Sequence, residues 1–201
     1  MTTHLTAALV RLLTGLNGRW RGCVPDEKQR VYFANHTSNL DGPALWAALP
    51  PPVRELTRMV AARDYWDRGP IRRHFARNVF NAVLIERKSP TARDNPIDDM
   101  LRAMGDRYSL ILFPEGGRFP GPDPVTFKSG LFHLARKRPE IELVPVLLDN
   151  MNRILPKGEL LPAPLIASVT FGPPIRLLPD EPRDLFLSRA RQAVLDLRQS
   201  L

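Results

Sequence analysis

The sequence predicts an α/β fold, with one mostly parallel β-sheet flanked by helices. Three observations point to it. Short apolar runs alternate along the chain with segments whose apolar residues recur at helical spacing. Two of the runs, residues 108–113 (YSLILF) and 141–148 (IELVPVLL), are almost continuously apolar, as strands covered on both faces are. The chain has 201 residues and is 43% hydrophobic, enough for one domain with a full core. No repeat, low-complexity tract or break in composition divides residues 1–201, so a single domain is expected.

The elements follow in order. Leu5, Leu9, Leu12, Leu13 and Leu16 lie at helical spacing, so residues 1–18 read as an amphipathic helix. It either packs on the domain or lies in a membrane interface. Trp20, between Arg19 and Arg21, suits a headgroup region or a surface turn. Residues 31–34 form a strand, and the pattern GPALWAAL from Gly42 is a helix ended by Pro50, Pro51 and Pro52. Residues 56–62 form a strand. A helix starts near Pro70, with Ile71, Phe75 and Val79 on one apolar face. Residues 81–86 form a strand ending at Arg87. Pro96 opens a helix with Ile97, Met100, Leu101 and Met104 facing the core. After the strand at 108–113 come a Pro/Gly-rich loop, a helix over 127–138 and the strand at 141–148. Residues 152–164 are a proline-rich loop, 166–171 a last strand, and 181–200 a closing helix. Leu185, Phe186, Ala190, Val194 and Leu197 form its stripe. The prolines, 21 in all, shorten elements and stiffen loops; they do not mark disorder, because apolar runs lie between them.

The formal net charge of +8 favours polyanionic partners: nucleic acid, an anionic membrane leaflet or a phosphorylated small molecule. Arginines are spread along the chain without a basic tail or an aromatic-basic stripe, so nucleic acid is not expected. The single cysteine, Cys23, allows no internal disulfide and reads as a structural or surface thiol. The first 18 residues fall short of the ~20 apolar residues a membrane span needs. They also lack a charged leader and a cleavage site. Four scattered histidines and one cysteine give no metal-ligand spacing, so no metal is expected.

The chemistry-bearing residues gather at strand ends. His36 follows the strand at 31–34, and Asp41 lies five residues on. Five residues turn a helix through about 500°, some 140° from a shared face, and on a strand an odd offset puts the two on opposite faces. Only a turn brings them together. Thr37, Ser38, Asn39 and Gly42 are the residues of such a turn. A carboxylate on one imidazole nitrogen would fix the tautomer and free the other nitrogen to accept a proton. Taken alone, Asp41 before Gly42-Pro43 reads as a helix cap, and with two oxygens it can cap and pair at once. Asn35-His36-Thr37 matches a glycosylation sequon, but at a buried strand end it is not read as one. At a second strand end, Glu115-Gly116-Gly117-Arg118 offers close backbone approach and a planar guanidinium for phosphate. Arg87 stands at a third. Ligands of open α/β sheets bind at the carboxyl ends of strands. Neither a G-x-S-x-G nucleophile nor a G-x-x-x-x-G-K-[ST] phosphate loop is present.

Asn35-His36-(four residues)-Asp41 resembles the N-H-x-x-x-x-D block of the glycerolipid acyltransferases, the lysophosphatidic acid acyltransferase family. Ile85-Glu86-Arg87 resembles their second block. Phe113 to Arg118 is similar to their F-P-E-G-T-R block, Phe127-Lys128-Ser129-Gly130 to F-K-x-G, and Val144-Pro145-Val146 to V-P-V. The blocks occur in family order from about residue 30 to 148. Gly117 stands where the family usually has Thr or Ser, which removes a donor, and Glu86 where Asp is common.

The resemblance implies a glycerolipid acyltransferase-like fold. It implies acyl transfer from a thioester, acyl-CoA or acyl-carrier protein, to a lysophospholipid hydroxyl, most simply that of 1-acylglycerol-3-phosphate. No cofactor beyond the donor substrate is expected. His36 would be the base and Asp41 its orienting partner. Arg87 and Arg118 would hold the acceptor phosphate, with Lys128 adding positive charge. Glu115, Gly116 and Gly117 would shape the acceptor site, with a backbone N–H of this loop at the oxyanion. The expected location is cytoplasmic, peripheral on an anionic inner membrane face, with no transmembrane helix or signal peptide. The alternatives are another hydroxyl acceptor, or a non-catalytic lipid-surface module on the same fold.

Overall fold

The computed structural model describes residues 2–86, 95–119, 121, 123–154 and 166–199. Its centre is a seven-stranded sheet: β1 (Asn17–Trp20), β2 (Arg30–Ala34), β3 (Thr57–Ala62), β4 (Val83–Ile85), β5 (Ser109–Leu112), β6 (Glu142–Asp149) and β7 (Ser168–Phe171). The spatial order is β1-β7-β6-β2-β5-β3-β4. All pairs are parallel except β6 with β7, so β7 and β1 run against the other five strands.

The alternation of side chains along the central strands divides the core into two layers. Tyr32, Ala34, Ile111, Val144, Val146 and Leu148 face one layer. There they meet α2 (Asp41–Ala48) and α3 (Pro51–Glu55). Val31, Phe33, Leu110, Leu112, Leu143 and Leu147 face the other. That layer is built by α6 (Pro96–Met104), α7 (Gly130–Lys137) and α9 (Arg183–Gln199). β2 is buried along its whole length, which is why Val31 to Ala34 reads as an apolar run; the buried Arg30 at its start pairs with Glu142 at 2.9 Å.

The stripe on α9 holds for Phe186, Ala190, Val194 and Leu197, but Leu185 is 60% exposed. The helix packs one narrow face, and Leu185 lies beyond its edge. Leu187 is buried instead.

Several elements depart from expectation. Trp20 is not in a turn. It lies on edge strand β1 and stacks on Phe171 at 4.0 Å and 7°. Asn17-Gly18-Arg19 carries no apolar alternation, and pairing with β7 is what makes the segment a strand. The triple proline ends α2 but also begins α3, because Pro is pre-set for the first helical turn. The stretch after β3 breaks into α4 (Arg63–Trp66), α5 (Pro70–His74) and a π-helical turn, Phe75–Val79. Its expected apolar face fails: Val79 is buried, but Ile71 is 73% exposed and Phe75 is also open. The wider π turn rotates Val79 off the line of Ile71. The first three residues of the expected loop at 152–164 belong instead to α8 (Met151–Ile154), and the rest of it lies outside the described residues.

The N-terminal helix, α1 (Thr2–Thr14), docks on α2 through its small residues. Ala7 and Thr14 are buried, and Arg11 Nε donates to the Ala47 carbonyl at 2.8 Å. Leu5, Leu9, Leu12 and Leu13 point away, with Leu5 73% and Leu12 80% exposed. The helix therefore packs on the domain by one face and leaves its leucines exposed on the other. Among the described residues no helix is long and apolar enough to cross a membrane.

Candidate active site

Parallel strands bring their carboxyl ends to one edge, and there four of them end, at Ala34, Ala62, Ile85 and Leu112. The turn after β2 is anchored first. Asn35 closes the sheet by imitating a backbone rung: its amide Nδ2 donates to the Leu148 carbonyl at 2.9 Å, and its Oδ1 accepts from Leu148 N–H at 2.8 Å. The chain then bends, and Asp41 reaches back across the bend. Its Oδ2 lies 2.8 Å from His36 Nδ1 and accepts from Thr37 N–H at 2.6 Å and Ser38 N–H at 2.7 Å. Three donors on one oxygen fix the turn and the imidazole together.

Asp41 does not cap its helix. Leu40 holds the cap position without a side-chain bond, and Asp41 is the first helical residue. The carboxylate cannot serve both ends, because Oδ2 is committed backward and Oδ1 is buried with no hydrogen-bond partner among the described residues.

Asp41 is wholly buried, whereas the His36 side chain is 22% exposed. The ring stacks on Phe113, with centroids 4.3 Å apart and planes 23° apart. With Nδ1 held by Asp41, Nε2 is the nitrogen left for the cleft that His36 lines. That cleft has a volume of about 260 Å³. Its apolar wall includes Met59, Val60, Trp66 and Ile85, and its polar rim includes Asn39, Tyr65, Gly116, Gly117 and Arg118.

The Glu115 loop is tied to the His36 turn from both sides. Glu115 Oε1 accepts from His36 N–H at 2.7 Å, and Oε2 accepts from Val125 N–H at 3.3 Å. Phe119 N–H donates to the His36 carbonyl at 2.9 Å. Glu115 is buried, and burial pushes its carboxyl above the ordinary value, partly opposed by those two amides. It shapes the site by holding two loops rather than by facing the cleft. Gly116 has φ +68°, and a Cβ there would sit 2.8 Å from the Lys128 side chain. The side chain of Lys128, an exposed residue, thus lies against the loop, and its own N–H donates to the Pro114 carbonyl at 2.8 Å. The Gly116 N–H donates to the Phe113 carbonyl at 3.1 Å, so this amide is engaged within the turn. Gly117 lies open to the cleft. Arg87 lies outside the described residues, although Ile85, two positions before it, lines the cleft.

Sequence reasoning missed Tyr65. Its hydroxyl donates to Asn39 Oδ1 at 3.0 Å, tying α4 to the turn that carries His36. Its ring carries two guanidiniums: Arg118 at 5.2 Å and Arg72 at 4.6 Å from the ring centre. The signal was present in the arginine-rich stretch after β3, but a periodic helix reading hid it. Gly42 was also undervalued. A Cβ at Gly42 would lie 2.4 Å from Met59 Sδ on the cleft floor.

The fold and site define an α/β protein with a His–Asp pair at the carboxyl edge of a parallel sheet, beside a basic rim. The family model described as Acyltransferase matches residues 21–149, so the chain belongs to the acyltransferase family. It is similar to 1-acyl-sn-glycerol-3-phosphate acyltransferase of Limnanthes alba, 28% identical over 175 residues. That alignment covers 86% of this chain and 59% of the plant protein, so the chain spans under two thirds of that relative. The protein of the same name from Cocos nucifera is 31% identical over 97 residues, covering 48% of this chain and 31% of its own length. The crystal structure of the 1-acyl-sn-glycerophosphate (LPA) acyltransferase PlsC from Thermotoga maritima superposes with a TM-score of 0.74 at 17% identity. It covers 99% of this chain and 78% of its own. That likeness extends the shared fold to almost the whole chain.

Proposed function

We propose that the protein transfers a fatty acyl group from a thioester, acyl-CoA or acyl-carrier protein, to the free hydroxyl of a lysophospholipid, and that this acceptor is 1-acylglycerol-3-phosphate. The observation that carries the reading is the His36 Nδ1–Asp41 Oδ2 pair at 2.8 Å, with the opposite ring nitrogen left for a cleft rimmed by Arg118. His36 Nε2 takes the acceptor hydroxyl proton as the oxygen attacks the thioester carbonyl carbon. The tetrahedral centre collapses, the C–S bond breaks, and Nε2 returns the proton to the leaving thiolate. The products are an ester and a free thiol. Asp41 holds the ring in the tautomer this requires and balances the imidazolium while it exists. No acyl-enzyme is involved.

Arg118 receives the acceptor phosphate, with Arg87 as its expected partner from the second block. A guanidinium over an aromatic face is pre-oriented, so little side-chain freedom is lost when it binds an oxyanion. The leucine face of α1 and the positive net charge support a position on an anionic membrane surface, where acceptor and product would reside. The relatives named as 1-acyl-sn-glycerol-3-phosphate acyltransferases support the choice of acceptor.

The test is thiol release by purified protein across a grid of donors and lysolipid acceptors. Release that depends on a phosphomonoester acceptor is expected. In the Arg118→Ala variant KM for that acceptor rises while kcat is largely kept. Thiol release equally fast with a neutral monoacylglycerol contradicts the phosphate assignment, and no release with any pair contradicts the activity.

A further inference from the structure

At the edge of the sheet opposite His36, where β3 begins, lies a second cavity of about 260 Å³. Thr3 of α1, Trp46 of α2, Arg54 of α3, Arg77 of the π turn and Asn81 before β4 contribute to its wall. Arg54 is the unusual member. It is only 5% exposed, and among the described residues no carboxylate forms an ion pair with it. Its guanidinium lies over the Trp46 ring at 5.0 Å. Nη1 reaches the Leu49 carbonyl at only 3.4 Å, and Nη2 lies 3.1 Å from His4 Nδ1. Glu55 also lines the cavity, but its carboxylate is drawn to His4 Nε2 at 3.7 Å. Burial depresses the Arg54 pKa and repulsion from Arg11 adds to the effect, while the neighbouring Glu55 carboxylate only partly opposes it. A buried cation without a close counter-charge is costly, and an anion in the adjoining space would relieve that cost.

We propose that this cavity is a second anion site that takes a phosphate monoester, with Arg54 and Arg77 as its guanidinium ligands and Asn81 and Thr3 as neutral donors. Phosphate is the matching class. A monoester carries nearly two negative charges near neutral pH and three peripheral oxygens, which suits two planar forks. A carboxylate would leave one guanidinium uncompensated. Asn78 and Thr57 line the cavity too, but Asn78 Nδ2 is engaged with His74 Nδ1 at 3.0 Å and the Thr57 hydroxyl donates to Val53 O at 2.7 Å. Thr3 belongs to α1, so a ligand here ties the leucine-bearing helix to α3 and the π turn. The site does not depend on the reading of His36.

The protein contains its own reporters. Of its three tryptophans, Trp46 lines this cavity, Trp66 lines the catalytic cleft, and Trp20 stacks on Phe171 away from both. Their indole N–H signals are assigned by Trp→Phe variants. The full chain is then titrated with inorganic phosphate and, separately, with short-chain phosphatidic acid below its micellar concentration, at constant ionic strength. The Trp46 signal is expected to move and saturate while Trp20 stays fixed, and amide exchange in α1 is expected to slow. Arg77→Gln, at an exposed position, and Arg54→Gln are each expected to weaken binding about tenfold or more, as loss of a charge-assisted contact does. A response to inorganic phosphate identifies a free phosphate site; one confined to the lipid identifies a headgroup site. A Trp46 signal unmoved by both ligands overturns the proposal. So does movement of Trp66 alone, or unchanged affinity in folded Arg77→Gln protein.

Discussion

Replacing Asp41 by Asn is the most informative single change short of removing the histidine. Oδ2 takes three donors at 2.6–2.8 Å, from His36, Thr37 and Ser38. Hydrogen bonds to a charged acceptor contribute about 1.5–3 kcal/mol and those to a neutral one about 0.5–1.5. Neutralising the oxygen therefore costs about 1 kcal/mol per bond, or about 3 kcal/mol in all. The amide nitrogen then occupies the place of Oδ1, which is buried with no partner among the described residues. A buried donor left unpaired costs about 1–3 kcal/mol more. The sum, about 4–6 kcal/mol, consumes much of an ordinary domain's stability of about 5–15 kcal/mol. It corresponds to a fall in Tm of roughly 10–20 °C for a chain of this size. Flipping the amide relieves nothing, because the NH2 would then face the Thr37 and Ser38 N–H groups. Catalysis suffers separately: kcat should fall about 10²–10⁴-fold as the imidazolium loses its counter-charge and the tautomer its anchor. Circular-dichroism melting and steady-state thiol release, both well below the new Tm, read the two effects apart. Adding His36→Ala to Asp41→Asn should lower kcat little further, since the pair acts as a unit. An Asn variant within threefold of wild-type kcat and within about 3 °C of its Tm refutes the reasoning.

Three further outcomes are expected. Gly116→Ala forces a side chain into φ +68° and against Lys128. It should cost about 1–2 kcal/mol in urea unfolding from the left-handed conformation alone; any excess should vanish in a Lys128→Ala background, and a neutral Gly116→Ala would contradict the geometry. Burial raises the Glu115 pKa above its ordinary 4.5. The folded state then binds the proton more tightly than the unfolded one, so this group's contribution to stability falls as pH rises from about 4.5 through the folded pKa and is flat above it. Glu115→Gln removes that slope, and a stability–pH difference curve without it, or with the opposite sign, counts against the assignment. Changing exposed Leu5, Leu9 and Leu12 together to Ser should leave Tm nearly unchanged and sharply reduce co-sedimentation with anionic vesicles, as each buried leucine contributes about 1.5–3 kcal/mol; equal pelleting would show that α1 does not touch lipid.

The central strands and the His36–Asp41 turn were legible in the sequence for a physical reason. β2, β5 and β6 are buried on both faces, so their composition is dictated by burial alone. The His36–Asp41 offset excludes both regular elements, which leaves a turn. What escaped notice depends on partners distant in sequence. β1 is a strand only because β7 lies beside it. Ile71 and Phe75 look like a core face until the π turn rotates Val79 away from them. Asp41 before a helix reads as a cap, and only the three donors behind it show that its charge is directed backward. Tyr65 gains its place from a hydroxyl bond to Asn39 and from two arginines, Arg72 and Arg118, of which Arg118 lies more than fifty positions away. The motif suggests that Glu115 shapes the acceptor site, but not that its oxygens take the His36 and Val125 amides.

The central claim is that His36 Nε2 moves the proton in acyl transfer, and kcat of the His36→Ala variant tests it most directly. The imidazole stacks on Phe113 at the edge of the cleft and is partly exposed, so its removal should leave the fold intact, verifiable by circular dichroism. With saturating acyl thioester and 1-acylglycerol-3-phosphate, thiol release should fall about 10²–10⁴-fold. Near wild-type turnover by folded His36→Ala protein would contradict the account.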